Sequence, residues 1–151
     1  MNNNNENQYY SGIDNYDLID VLLSKNSFYL DIFKGVVLPV NHPDYYKNHT
    51  DLKILKISDD VINASANING INYELDSNKI STIEKLLTGK LQNLLTICEN
   101  QSNINYFGGS NNLIVKIKGI IINIDILNIN DNDKLIIDDI VNEIISILYG
   151  N

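Results

Sequence analysis

The sequence has no arginine, a single cysteine (Cys98) and no long apolar run. Each absence excludes something. Without guanidinium groups the chain lacks the planar, bidentate fork that grips phosphate, and its 11 lysines are outnumbered by 19 acids, for a net charge of −8. Nucleic acid is therefore an unfavourable partner. One cysteine cannot close an internal disulfide, and it fits a reducing compartment. Nothing approaches the run of about 18 apolar residues that a membrane-spanning helix needs. Residues 1–12, MNNNNENQYYSG, carry no Lys or Arg and no apolar centre, so no secretory signal is expected there and the cytoplasm is the expected location.

What is present is equally lopsided. Asn and Ile occur 26 times each in 151 residues. Both are encoded largely by A/T-rich codons and arginine mostly by G/C-rich ones, so the bias reads as that of an A/T-rich genome. Motifs built on Asn lose value accordingly. The sequons at Asn48, Asn63 and Asn100 are expected by chance. A chain of this length makes about one domain and buries roughly two-thirds of its unfolded surface without disulfides or metals.

Residues 1–11 are too polar to pack and read as a disordered Asn-rich tail, leaving 12–151 as a single domain. Ile13, Tyr16, Ile19 (or Leu18) and Leu23 (or Leu22) recur at helical spacing, predicting a helix near 15–25 behind an Asp14 or Asn15 cap. Residues 28–40, FYLDIFKGVVLPV, fit either a strand pair or a helix broken at Gly35, with Pro39 opposing a central strand. A strand is expected at 52–58. Asn69-Gly70 then predicts a two-residue hairpin turn that sets Ile68 opposite Ile71, Ala66 opposite Tyr73 and Ala64 opposite Leu75, with Asn67 opposite Asn72 and Ser65 opposite Glu74. A helix over 81–98 follows, with a Ser81/Glu84 capping box and a stripe of Ile83, Leu87, Leu91, Leu94 and Cys98. Lys118-Gly119 joins a second hairpin, 113–117 with 120–126. A last helix over 134–148, capped near Asp131 or Asp133 and ended by Gly150, buries Ile137, Ile140, Val141, Ile144 and Leu148.

The expected fold is α+β: an antiparallel β-sheet of four to six strands with two or three helices on one face, a ββα-ββα core preceded by an N-terminal helix. The other sheet face should carry Asn, Ser, Glu and Lys and meet water. The two hairpins share the pattern I-x-G-I-x-x-x-x-D, with turn glycines 49 residues apart. Duplication of a ββα unit and coincidence in an Ile-rich chain both explain it, and coincidence is preferred.

Catalytic chemistry is hard to find, and no enzyme is expected. His42 and His49 lie with Asp44, Tyr45, Tyr46 and Asp51 in one loop, but H-x6-H matches no metal motif, so neither metal nor cofactor is expected. Tyr45 and Tyr46 beside Asp44 suit a protein-contact patch. Gly108, Gly109 and Ser110 could approach a ligand, yet they follow no phosphate-loop or nucleophile spacing. Cys98 continues an apolar stripe and reads as a structural thiol. Asp131-Asn-Asp133 fails as a calcium loop, since no glycine sits at position 6 and residue 12 is Asn142; helix capping explains these acids.

Charge carries the remaining signal. Residues 124–151 hold Asp125, Asp131, Asp133, Asp138, Asp139 and Glu143 against Lys134, a net of −5; residues 1–33 have a net of −4. Side by side, the two terminal helices would form an acidic surface that steers a basic partner. The expected function is thus an acidic protein-binding module, a stoichiometric inhibitor or immunity-type partner of a basic protein. It would contact that protein through Asp44, Tyr45, Tyr46, Asp131, Asp133, Asp138, Asp139 and Glu143. The alternative is a small-ligand binder or small enzyme using His42, His49, Gly108, Gly109 and Ser110. The third reading is an accessory or assembly domain that forms a homodimer.

Overall fold

The structure is a computed structural model that describes residues 26–35, 41–43, 49–101 and 111–150. The expected tail, the expected helix near 15–25, and Asp44, Tyr45, Tyr46, Gly108, Gly109 and Ser110 lie outside the described residues. Six strands form one antiparallel sheet: β1 (Ser27–Lys34), β2 (Thr50–Ile57), β3 (Asp60–Ile68), β4 (Ile71–Tyr73), β5 (Asn112–Ile117) and β6 (Ile120–Asp125). Their order is β4-β3-β2-β1-β5-β6. Among the described residues three α-helices accompany them: α1 (Ser77–Gly89), α2 (Leu91–Asn100) and α3 (Asp131–Leu148). The described chain from β3 onward runs ββα-ββα, with the first α divided in two.

Turn chemistry sets both hairpin registers. Asn69 (φ 55) and Gly70 (φ 87) are both left-handed, as are Lys118 (φ 52) and Gly119 (φ 77), which is the backbone a two-residue turn needs to match strand twist. Ile68 faces Ile71, Asn67 faces Asn72 and Ala66 faces Tyr73. In the second hairpin Leu113 faces Ile124, Val115 faces Ile122 and Ile117 faces Ile120. The first ladder is shorter than its pattern implies. β4 ends at Tyr73, so the rungs expected at Ser65–Glu74 and Ala64–Leu75 do not form, because Asp76 caps a helix three residues later. The ambiguous stretch 28–40 resolves over its first part as the strand β1, the partner of both β2 and β5.

One face of the sheet packs against all three helices. Leu30, Ile32, Leu52, Ile54, Leu113, Val115, Ile122 and Ile124 meet Ile83 and Leu87 of α1, Leu94 and Ile97 of α2, and Ile137, Ile140 and Ile144 of α3 in one core. The stripe expected for the last helix is its buried set, Ile137, Ile140, Val141, Ile144 and Leu148. The helix expected over 81–98 starts earlier, at Ser77, and divides at Lys90. Asp76, not Ser81, is its cap and accepts from the Lys79 N–H at 2.8 Å. Glu84 is not a capping-box partner, since it pairs with Lys56 of β2 at 2.8 Å. An Asx side chain directly before Ser77 satisfies an orphan N–H of the first turn, so the helix starts four residues upstream of Ser81 and Ile80 joins the core.

The other sheet face departs from the polar surface expected of it. Tyr29 and Leu55 are buried there, with Ile57 and Ile114 packed against them, and Lys116 is buried with its ammonium 2.7 Å from Ser27 Oγ. The reason is legible in β1: Phe28, Tyr29 and Leu30 are consecutive large side chains. That pattern belongs to a central strand covered on both faces, not to alternation.

The two sheet edges differ. Along β6, the Asn123 carbonyl accepts from the Gln101 amide (3.3 Å) and the Cys98 thiol (3.5 Å), and the Asp125 N–H donates to Gln101 Oε1 (2.8 Å). Side chains at the end of α2 thus occupy this edge. At the other edge, β4 covers only Ala66, Asn67 and Ile68 of β3, and Ile62 bulges without a partner between the Leu55–Asn63 and Lys56–Val61 rungs.

Candidate functional site

Helix α3 carries the described acids of the expected contact surface, and local sequence explains how it presents them. The cap is Asn130, directly before Asp131 and three residues before Asp133, and it accepts from the Asp133 N–H at 2.8 Å. Asp131 and Asp133 fall in the first turn, where carboxylates interact favourably with the positive end of the helix dipole. At the far end, the Gly150 N–H closes onto the Ile147 carbonyl (3.1 Å), and the Lys79 ammonium reaches the Leu148 carbonyl (3.1 Å). Each end of the helix therefore meets charge of the complementary sign. The buried stripe then fixes which side faces out.

That outward side is a line of residues spaced by four: Asp131, Leu135, Asp139 and Glu143, all exposed. Successive members are about 6 Å apart along the axis, so three carboxylates flank one apolar side chain over about 18 Å. Leu135 is the surprise, at 64% exposed the most open of the large described hydrophobics. Pattern reading omitted it because it lies off the buried stripe. That offset was itself the available signal, since an apolar residue on the polar side of an amphipathic helix has no core to join.

Two expected contributors have other roles. Asp138 binds Lys34 of β1 at 2.8 Å, tying α3 to the end of the central strand; half-exposed pairs of this kind contribute about 0–1 kcal/mol. Asp125, counted in the acidic C-terminal charge, is buried. It accepts from the Leu127 N–H and the Asn128 amide, holding the short turn Ile126–Asn128 that leads into α3. Asp133 is half-buried beside the cap.

The ligand-binding alternative receives a different disposition. His42 is exposed, whereas His49 is buried with its ring edge-on to Phe33, centroids 5.4 Å apart. His49 is bracketed by the first turn: its N–H donates to Asn69 Oδ1 (2.8 Å) and its carbonyl accepts from the Asn69 N–H (2.7 Å). Among the described residues no three His, Cys, Asp or Glu side chains converge as a metal site. A groove of about 410 Å3 lies at the opposite end of the sheet, lined by Ser27, Ser58, Asp59, Glu84 and Lys118 among others. It has no histidine or cysteine to pair with its hydroxyls, and Glu84 is held by Lys56.

A further charged group sits on the central strand. Asp31 lies on the face opposite the helices, accepts from the Tyr29 hydroxyl at 3.2 Å and pairs across the sheet with Lys53. Burial raises its carboxyl above the ordinary range, and the Lys53 charge opposes that rise. Lys53 itself bonds Asp51 at 2.6 Å.

Among the described residues no helix is long and apolar enough to cross a membrane. Compared with protein-family models, curated proteins and solved structures, the chain matches none.

Proposed function

We propose that this chain is an acidic protein-binding module, a stoichiometric inhibitor or immunity-type partner of a basic protein, acting in the cytoplasm and without catalysis. The observation that carries the reading is the line Asp131–Leu135–Asp139–Glu143 on the outward side of α3, an exposed apolar anchor between carboxylates that no described cation pairs. Carboxylates on a rigid helix steer a cationic surface into register, and the central leucine supplies the desolvated contact that charge alone does not. The absence of arginine and the charge of −8 make nucleic acid a repelled partner and lysine- or arginine-rich protein a favoured one.

The test compares wild-type bait with two variants in pull-downs from the source cell, at low and high salt. L135S removes the anchor, and D139N/E143N removes charge. Both change exposed positions, where effects on stability stay within about 0.5 kcal/mol. A basic protein retained at low salt, released at high salt and lost with either variant supports the reading. A partner whose capture ignores both variants and salt would remove α3 from the interface.

A further inference from the structure

A different surface has chemistry suited to self-association. Residues 61–73, VINASANINGINY, include no charged side chain in a protein of charge −8. They form β3 beyond its first residue, the turn and β4, and so make up the sheet edge that no described element covers. Exposed strand edges are ordinarily blunted by charges, especially lysine, or by a covering element. The β6 edge has its cover in Gln101 and Cys98. Among the described residues the β4 edge has neither device.

The register shows what this edge offers. In a two-residue hairpin the residues flanking the turn, Ile68 and Ile71, exchange backbone hydrogen bonds, so the next pair, Asn67 and Asn72, does not. The Asn72 N–H and C=O therefore point away from β3. The Asn72 side chain is turned back, its Oδ1 accepting from the Asn67 amide at 2.8 Å. Ile71 and Tyr73 share the helix-side face with their partners Ile68 and Ala66. Ile71 is 57% exposed, and Tyr149, whose ring centroid is 5.3 Å from that of Tyr73, is 53% exposed.

We propose that β4 is a homodimer interface in which two copies pair antiparallel about a two-fold axis at Asn72, joining their sheets edge to edge. With Asn72 opposite Asn72 of the second copy, each donates its N–H to the other's carbonyl. The same register sets Ile71 of each copy against Tyr73 of the other, an aliphatic–aromatic pair of the kind that stabilises antiparallel ladders. Antiparallel pairing about a two-fold axis is self-complementary, so the contact closes at two copies. A second copy fits better than a basic partner because this edge has no charge to attract one. It is also where two molecules of charge −8 meet without apposing like charges. The surface is separate from the carboxylate line of α3, and neither reading depends on the other.

Sedimentation equilibrium of the full chain, across micromolar to millimolar concentration, tests the proposal. The expected result is a concentration-dependent rise in mass that levels off at two chains. N72P removes the outward donor without touching a backbone hydrogen bond of the monomer, losing only the exposed side-chain bond from Asn67, and I71K places a charge on the edge. Each should weaken association at least tenfold while circular dichroism stays that of wild type. Should N72P not fold, I71K decides. Hydrogen exchange at the Asn72 amide should slow as the dimer forms. A wild-type chain that stays at single mass, grows past two copies without limit, dimerises equally well as I71K, or dimerises with Asn72 unprotected would overturn the proposal.

Discussion

The two hairpins of this protein share a turn pattern and little else. In β5–β6 the ladder runs six rungs, and Leu113, Val115, Ile117, Ile122 and Ile124 are all buried. In β3–β4 it runs three rungs, and Ile71, the counterpart of Ile120, is 57% exposed. The difference lies in neighbours rather than in the hairpins. β5 is paired on its other side by the central strand β1, and the free edge of β6 is taken by the end of α2. Among the described residues β4 has only β3 beside it. Equal turn chemistry thus delivers one hairpin to the core and leaves the other at the margin.

Core truncation should separate them most. Ile122→Ala empties a fully buried site and is expected to cost about 2–5 kcal/mol, whereas Ile71→Ala should stay within about 0.5 kcal/mol. Urea unfolding at a protein concentration low enough to keep the chain monomeric measures both. Equal losses would mean that β4 is as enclosed as β6, and the contrast would disappear.

The turns themselves differ in the next largest effect. Asn69 tolerates its left-handed backbone, and its side chain satisfies the N–H of the buried His49. Asn69→Ala removes that bond and puts at φ 55 a residue that tolerates the left-handed region less well than asparagine, for an expected loss of about 1–3 kcal/mol. Lys118→Ala exchanges one residue poorly suited to φ 52 for another and should change stability by less than about 0.5 kcal/mol. Paired denaturation curves would show the peripheral hairpin depending on its turn more than the central one does.

Gln101 offers a way to make the two edges alike. Gln101→Ala removes the side chain that bonds both Asn123 O and Asp125 N, at an expected cost of about 1 kcal/mol. The Asp125 amide should then exchange its hydrogen faster while amides within β5 keep their protection. An unchanged Asp125 amide would show that α2 shields the edge without this bond.

How much of this was legible in the sequence follows from the range of each interaction. The hairpin turns, the buried stripe of α3 and the ββα-ββα order rest on residues within a few positions of one another, and pattern reading finds them. The β4 ladder was overextended because Asp76 competes locally as a helix cap, a signal present in the sequence but outweighed there by Ser81 and Glu84. Burial of Tyr29 and Leu55 was missed because period-two reasoning allots a strand one dry face. The bonds of Lys34 to Asp138 and of Gln101 to β6 span 104, 22 and 24 residues, and no local pattern encodes them. Of the candidate surface, the acids were visible as charge, but which of them stay outward was not. Asp125 and Asp138 are diverted by distant partners and by burial, and Leu135 enters only once the buried side of α3 is known.

The smallest expected effect is the sharpest probe of why the hairpins differ. Lys118 occupies the first turn position at φ 52, where asparagine is several-fold more common than other non-glycine residues. Gly119 beside it already has the freedom the second position requires, with open space around it. Lys118→Asn should therefore stabilise the protein by about 0.5 kcal/mol, through backbone preference alone. It would give the central hairpin the Asn-Gly turn of the peripheral one without the His49 contact. A gain of that size, read as a small rise in the urea midpoint with an unchanged slope, would separate the intrinsic value of an Asn-Gly turn from the larger loss at Asn69, leaving the remainder to the bond with His49. No gain would mean that packing around β5 and β6 sets this turn so firmly that its own chemistry no longer matters.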